Sequence, residues 1–174
     1  MFENIRADLR AYAGDWAAQG FWVMLVYRCG RWRYGVRPAP LRKVFSFIYK
    51  VLFKWVQIIT GIELPCEVVV GRNFVIDHFG GIVISGYAQF GDDCRIRNGV
   101  VVGLKNVKEP IAPVFGNNVD IGTGAKVLGN IRIGNNVVIG ANAVVLTDVP
   151  DNSIAVGVPA TIKTRQSAEA RECT

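Results

Sequence analysis

Phe115, Ile121, Val127, Ile133, Ile139 and Val145 recur six residues apart through the second half of the chain, and nothing helical has that period. Small or apolar residues stand two positions before the last five of them: Val119, Ala125, Ile131, Val137 and Ala143. Glycine follows directly at Gly116, Gly122, Gly134 and Gly140. In Gly134-Asn135-Asn136-Val137-Val138-Ile139 the last three residues alternate in, out, in, as a short strand does. The Gly-Asn-Asn before them is turn chemistry, because both residue types tolerate positive φ. One short strand and one corner per repeat cannot build hairpins of ordinary length. They build a coil that stacks on itself, a β-solenoid.

The same phase runs earlier through Val70, Ile76, Ile84, Phe90, Ile96 and Val102, with Val68, Phe74, Ile82, Ala88, Cys94 and Val100 two positions before them. It slips twice. The step from Ile76 to Ile84 is eight residues and holds Asp77-His78-Phe79-Gly80-Gly81; the step from Val102 to Phe115 is thirteen and predicts an extruded loop through Lys105, Lys108, Pro110 and Pro113. Interruptions in a regular scaffold are where function is expected.

The chain has 174 residues, enough for one main domain and an appendage. Residues 1–60 read as an N-terminal helical region, 61–163 as the coil and 164–174 as a tail. Helices are expected over Phe2–Tyr12, Phe21–Arg33 and Leu41–Thr60, the last two separated by Arg37-Pro38-Ala39-Pro40. They either pack on the base of the coil and on a neighbouring subunit, or lay Val44–Ile59 on a membrane surface with Lys43, Lys50 and Lys54 reaching to its edge. The opening residues lack the apolar core of a signal peptide, and the longest apolar stretch is broken by Lys50 and Lys54. Cys29, Cys66, Cys94 and Cys173 show no paired spacing and read as reduced thiols rather than a disulfide frame or metal site. A cytoplasmic protein is therefore expected, either free or peripheral on the inner face of the membrane.

The formal net charge of +6 favours anionic partners. No recognised nucleic-acid module is visible, so a phosphate-bearing small molecule or an anionic membrane is expected instead.

Several segments resemble the serine acetyltransferase branch of the hexapeptide-repeat acyltransferases. They are Ile59-Thr60-Gly61-Ile62-Glu63-Leu64, Ile76 to Ile84, Gly124-Ala125-Lys126-Val127-Leu128-Gly129-Asn130 and the closing Gly157-Val158-Pro159-Ala160. Ile5 to Arg10 and Val26-Tyr27-Arg28 are similar to the family's helical part. The resemblance implies a left-handed parallel β-helix of triangular section, a homotrimer or a dimer of trimers, and sites between adjacent subunits. It implies acetyl-CoA as co-substrate, a small hydroxyl-bearing acceptor and no metal.

A neutral hydroxyl is a poor nucleophile at neutral pH, so acyl transfer to it needs a base in contact. The chain has one histidine, His78, and it lies in the first break of the beat. By resemblance its orienting carboxylate is Glu63, fifteen residues earlier and close to one full coil away. Asp77 and Asp15 match acceptor-contacting residues. The resemblance implies Lys126, in the Gly124-Ala125-Lys126 segment, and Lys163, after the closing Gly-Val-Pro-Ala, for the phosphates of CoA, and each also reads as a solvated surface lysine. The plainer reading of His78 is a side chain that packs or hydrogen-bonds at a corner.

Two features depart from the serine enzymes. Their Arg-His pair after the Gly-Gly-Thr-Gly stretch is missing, since Val102 to Pro113 holds neither residue. The helical region is also shorter. Both departures resemble the compact enzymes that acetylate sugars of surface polysaccharides, so the acceptor is expected to be serine or a sugar hydroxyl. A γ-type carbonic anhydrase, which needs three histidines, is excluded by one. A sugar nucleotidyltransferase lacks room for its nucleotide domain. An ice-binding row of outward threonines is not present. A catalytically inactive interaction module of the same fold is the remaining alternative.

Overall fold

A computed structural model describes residues 2–106 and 108–165; the side chains of Phe2 and Glu3, Val107, Cys173 and almost all of the 164–174 tail lie outside the described residues. Three helices precede the coil: α1 (Phe2–Ala11), α2 (Gln19–Trp32) and α3 (Ala39–Thr60), with a short 3₁₀ turn at Arg33–Gly35 between the last two. Pro38 and Pro40 open α3, where a missing amide costs nothing. Gly61 ends it in the left-handed region at φ +65°, its amide returning to the Gln57 carbonyl. Asp8 and Arg28 tie α1 to α2 through a fork of two hydrogen bonds, 2.9 and 3.1 Å, with the carboxylate buried.

The coil has three walls, each strand lying in parallel above its counterpart one turn earlier. The first turn contains β1 (Ile62–Glu63), β2 (Val69–Val70) and β3 (Val75–Asp77); the second β4 (Ile82–Ile84), β5 (Gln89–Phe90) and β6 (Arg95–Arg97). The third contains β7 (Val101–Gly103), β8 (Val114–Phe115) and β9 (Asp120–Ile121); the fourth β10 (Lys126–Leu128), β11 (Arg132–Ile133) and β12 (Val138–Ile139). The fifth contains β13 (Val144–Val145), a bridge from Val149 to Ile133, and β14 (Ser153–Val156). β15 (Thr161–Thr164) then folds back antiparallel on β14 and covers the last turn's edge on the third wall.

The six-residue beat lines the interior. Every inward position named above, from Val68 to Val145, is buried. Phe74, Phe90 and Phe115 form an aromatic column: Phe90 stacks on Phe115 with ring centres 4.4 Å apart, and meets Phe74 edge-on at 5.0 Å. Burial pushes the Cys94 thiol up to about 11, consistent with a small core residue rather than a reactive one.

The corners between the second and third walls are a column of Asn73, Asp93, Asn118, Asn136 and Asn152, all at φ between +53° and +59°. Side-chain amides link Asn118 to Asn136 at 2.9 Å and Asn136 to Asn152 at 3.0 Å. The corners between the third and first walls are a column of Gly61, Gly81, Gly99 and Gly124, packed so tightly that a Cβ at Gly61 or Gly99 would press on the backbone above. The helices close the N-terminal end. Tyr27 of α2 donates to the Val68 carbonyl at 2.8 Å, and the Tyr49 hydroxyl of α3 accepts the Cys66 amide at 3.0 Å.

Candidate active site

Register pairs Ile62 with Ile82, Val83 with Val101, Val101 with Lys126 and Lys126 with Val144, so successive turns take 20, 18, 25 and 18 residues. Eighteen is three six-residue edges. The long turn carries the loop at 104–113. The 20-residue turn carries two extra residues between Asp77 and Gly81, against the tight Arg97-Asn98-Gly99 corner stacked on it. That insertion pushes His78 and Phe79 out of the wall, and both are exposed. His78 stands at φ +63°, a region most side chains avoid and His enters more readily than branched residues. A strained backbone at an exposed histidine is a feature that functional sites share.

The insertion borders a cleft of about 570 Å³ lined by Tyr12, Ala17, Ala18, Gln19, Gly20, Ile76, Asp77 and His78. Its far wall is the α1–α2 connection. Gly20 permits this close approach, since a Cβ there would collide with the Tyr12 hydroxyl and the Ile76 carbonyl. The Tyr12 oxygen accepts the Ile76 amide at 2.9 Å, and burial pushes its phenol well above the ordinary range, keeping it neutral. Asp77 ends β3 with its carboxylate held by Arg95 of β6 at 2.7 Å. Arg97, the register partner of Asp77, is paired with Asp120.

The sequence-derived candidates separate into those this cleft joins and those it does not. Asp77 and His78 line it together. Glu63 lies just beyond the same corner, because Gly61 sits beneath Gly80 and Gly81. Its register partner is Val83, and its carboxylate accepts the Gln57 side-chain amide at 2.9 Å; Lys54 donates to the other end of that amide at 2.9 Å. Asp15 belongs to the connection that forms the far wall, but its carboxylate turns back to accept the Ala17 amide at 2.9 Å. Lys126 is on the first wall, donating to the Gly124 carbonyl at 3.0 Å, and Lys163 is in β15 on the third wall; both are exposed and neither lines this cleft.

The structure also brings in Gln19, Tyr12 and Arg95, which sequence reasoning missed. Gln19 Oε1 is buried without a hydrogen-bond partner, the one such side-chain atom among the described residues, and Gln19 lines the cleft. No periodicity marks it, because its place depends on how the α1–α2 connection docks on the coil.

Residues 112–147 match the family model described as bacterial transferase hexapeptide, six repeats. The serine acetyltransferase of Helicobacter pylori strain J99 is 40% identical over 155 residues, covering 87% of this chain and 91% of that protein. WcaB of Escherichia coli K12, assigned as a colanic acid biosynthesis acetyltransferase, is 34% identical over 172 residues, covering 94% and 98%. The crystal structure of serine acetyltransferase from Brucella abortus strain S19 superposes with a TM-score of 0.79 at 30% identity, covering 94% of this chain and 68% of that one. The chain belongs to the hexapeptide-repeat acyltransferases, in the branch that holds the serine acetyltransferases. It is an acyltransferase built on a left-handed β-helix.

Proposed function

We propose that this chain is an acetyl-CoA-dependent O-acetyltransferase acting on a sugar hydroxyl, with His78 as general base. The observation that carries the reading is the two-residue insertion that sets the chain's only histidine, beside Asp77, on the rim of a cleft. In this reaction His78 takes the acceptor's hydroxyl proton as that oxygen attacks the thioester carbonyl. Backbone amides steady the tetrahedral oxyanion. The carbon–sulfur bond then breaks, and the imidazolium returns its proton to the departing thiolate, leaving an ester and free CoA. Glu63, across the corner, is assigned as the carboxylate that orients His78, and Lys126 and Lys163 are assigned to the phosphates of CoA. Asp15 is assigned to the acceptor side of the α1–α2 connection.

Three observations favour a sugar over serine. Serine carries an ammonium that seeks a free carboxylate, and the Asp77 carboxylate is already engaged by Arg95 at 2.7 Å. Serine also carries a carboxylate, and residues 102–113 offer no Arg or His to hold it. A sugar needs hydroxyl partners, and the orphan Oε1 of Gln19 is one.

A trimer completes the site in this reading. The His78 insertion leaves the coil between the third and first walls, and the 104–113 loop leaves it between the first and second. A cleft that uses both needs two copies of the chain. A cytoplasmic setting supplies acetyl-CoA.

The purified protein, given acetyl-CoA and either serine or a panel of nucleotide-linked and oligomeric sugars, is expected to release thiol with a kcat/KM for the best sugar at least about tenfold above serine, the ratio that about 1.4 kcal/mol from one unmatched polar group supplies. Turnover on serine alone would overturn the acceptor assignment and leave the transferase chemistry in place.

A further inference from the structure

We infer that α3 is a docking surface for an anionic membrane, a property separate from the transfer chemistry. The helix divides into three stripes. At about 100° per residue, Phe45, Tyr49, Phe53, Val56 and Thr60 fall on the face turned to the protein, where Tyr49 and Thr60 are buried and the others partly so. Leu41, Val44, Phe47, Ile48, Val51, Leu52, Trp55, Ile58 and Ile59 cover a second arc of roughly 140°, and all nine are exposed, Phe47 at 69% and Trp55 at 61%. Not one charged residue interrupts it. Lys43, Lys50 and Lys54 form the third stripe, within roughly 40° of one another and flush against the Phe47 edge of the apolar arc.

An unbroken apolar face this wide is not left to water without a reason. No described helix is long and apolar enough to cross a membrane, so the geometry is that of a helix lying in the plane of the interface. The charges select the occupant. Residues 39–60 contain Arg42, Lys43, Lys50 and Lys54 and no Asp or Glu. Beside Phe47 there is a dip of about 280 Å³ lined by Arg42, Lys43, Ser46, Phe47 and Lys50. Among the described residues none of its three cations is in an ion pair. A dip with three unpaired cations at the rim of an apolar face suits the phosphate of an acidic lipid, while the face takes the acyl boundary. Trp32 extends the apolar surface by packing edge-on against Phe45 at 5.1 Å, and is itself 44% exposed. A second copy of this chain would meet the same lysines with lysines and is the less favoured occupant.

The test is flotation of the full-length protein with phosphatidylcholine vesicles, with or without phosphatidylglycerol. The protein is expected to float with the anionic vesicles, to lose that binding in high salt, and to stay behind with the neutral ones. Lys43→Gln with Lys50→Gln should weaken anionic-vesicle binding by about 25-fold, each lysine contributing about fivefold. Phe47→Ser with Trp55→Ser should abolish it while leaving the circular-dichroism spectrum unchanged, because both side chains are already in solvent. A wild-type protein that fails to float overturns the proposal. So does a serine double variant that sediments as a smaller species, which would assign the face to contact between copies. The lysine variant reads out on surface residues alone, so poor folding of the serine variant does not blunt the experiment.

Discussion

His78→Asn is expected to cut kcat by about 10²–10⁴-fold, the usual worth of a positioned general base, with CoA binding and the unfolding transition little changed. Asparagine is the informative replacement. His78 occupies the left-handed region at φ +63°, and Asn is the residue that most readily holds that backbone after Gly. His78→Asn therefore removes the base and keeps the corner. His78→Val would add backbone strain of about 1–2 kcal/mol and confuse the two effects. The measurement is thiol release under saturating acetyl-CoA, with a parallel binding titration. Wild-type turnover in His78→Asn would end the assignment of the base, whatever the acceptor.

Phe90→Ala is expected to destabilise the fold by about 3–5 kcal/mol, the range for emptying a buried aromatic site. Phe90 is the middle ring of three, stacked on Phe115 with planes 6° apart and met by Phe74 at 67°. Its removal strips a neighbour from both. The space cannot collapse easily, because Phe90 and Phe115 are fixed to β5 and β8, each hydrogen-bonded to a strand above and one below. Chemical denaturation with a constant m-value checks the figure. A loss under about 1 kcal/mol would mean that the interior repacks far more freely than a rigid coil allows.

The walls of the coil were legible in the sequence because a six-residue beat leaves no other use for residues such as Ile121 or Val137. The two breaks were legible for the same reason: a period makes its own interruptions visible. What the beat could not give was the length of each turn. Fifteen residues is close to one coil, which makes Glu63 and His78 near neighbours but not register partners; the insertion makes that turn 20 residues, so His78 stands at the corner itself and Glu63 lies just past it, under Val83. Its nearest described hydrogen-bond partner is Gln57, which is invisible from the beat because it belongs to a helix. The Arg95–Asp77 ion pair escaped for a related reason. The two are 18 residues apart and adjacent only once the coil closes. Gln19 and Tyr12 come to the cleft through the docking of the α1–α2 connection, where a glycine, Gly20, supplies the necessary clearance. A missing side chain leaves no periodic trace.

The first turn absorbs two additional residues, and the frame recovers at once. Ile82 still lies over Ile62, and Val102 over Ile84, with no displacement passed upward. An architecture of identical storeys thus confines each interruption to its own floor. New chemistry can be lodged in one landing and rewritten there by selection, while the stairwell that supports it needs no compensating change anywhere else.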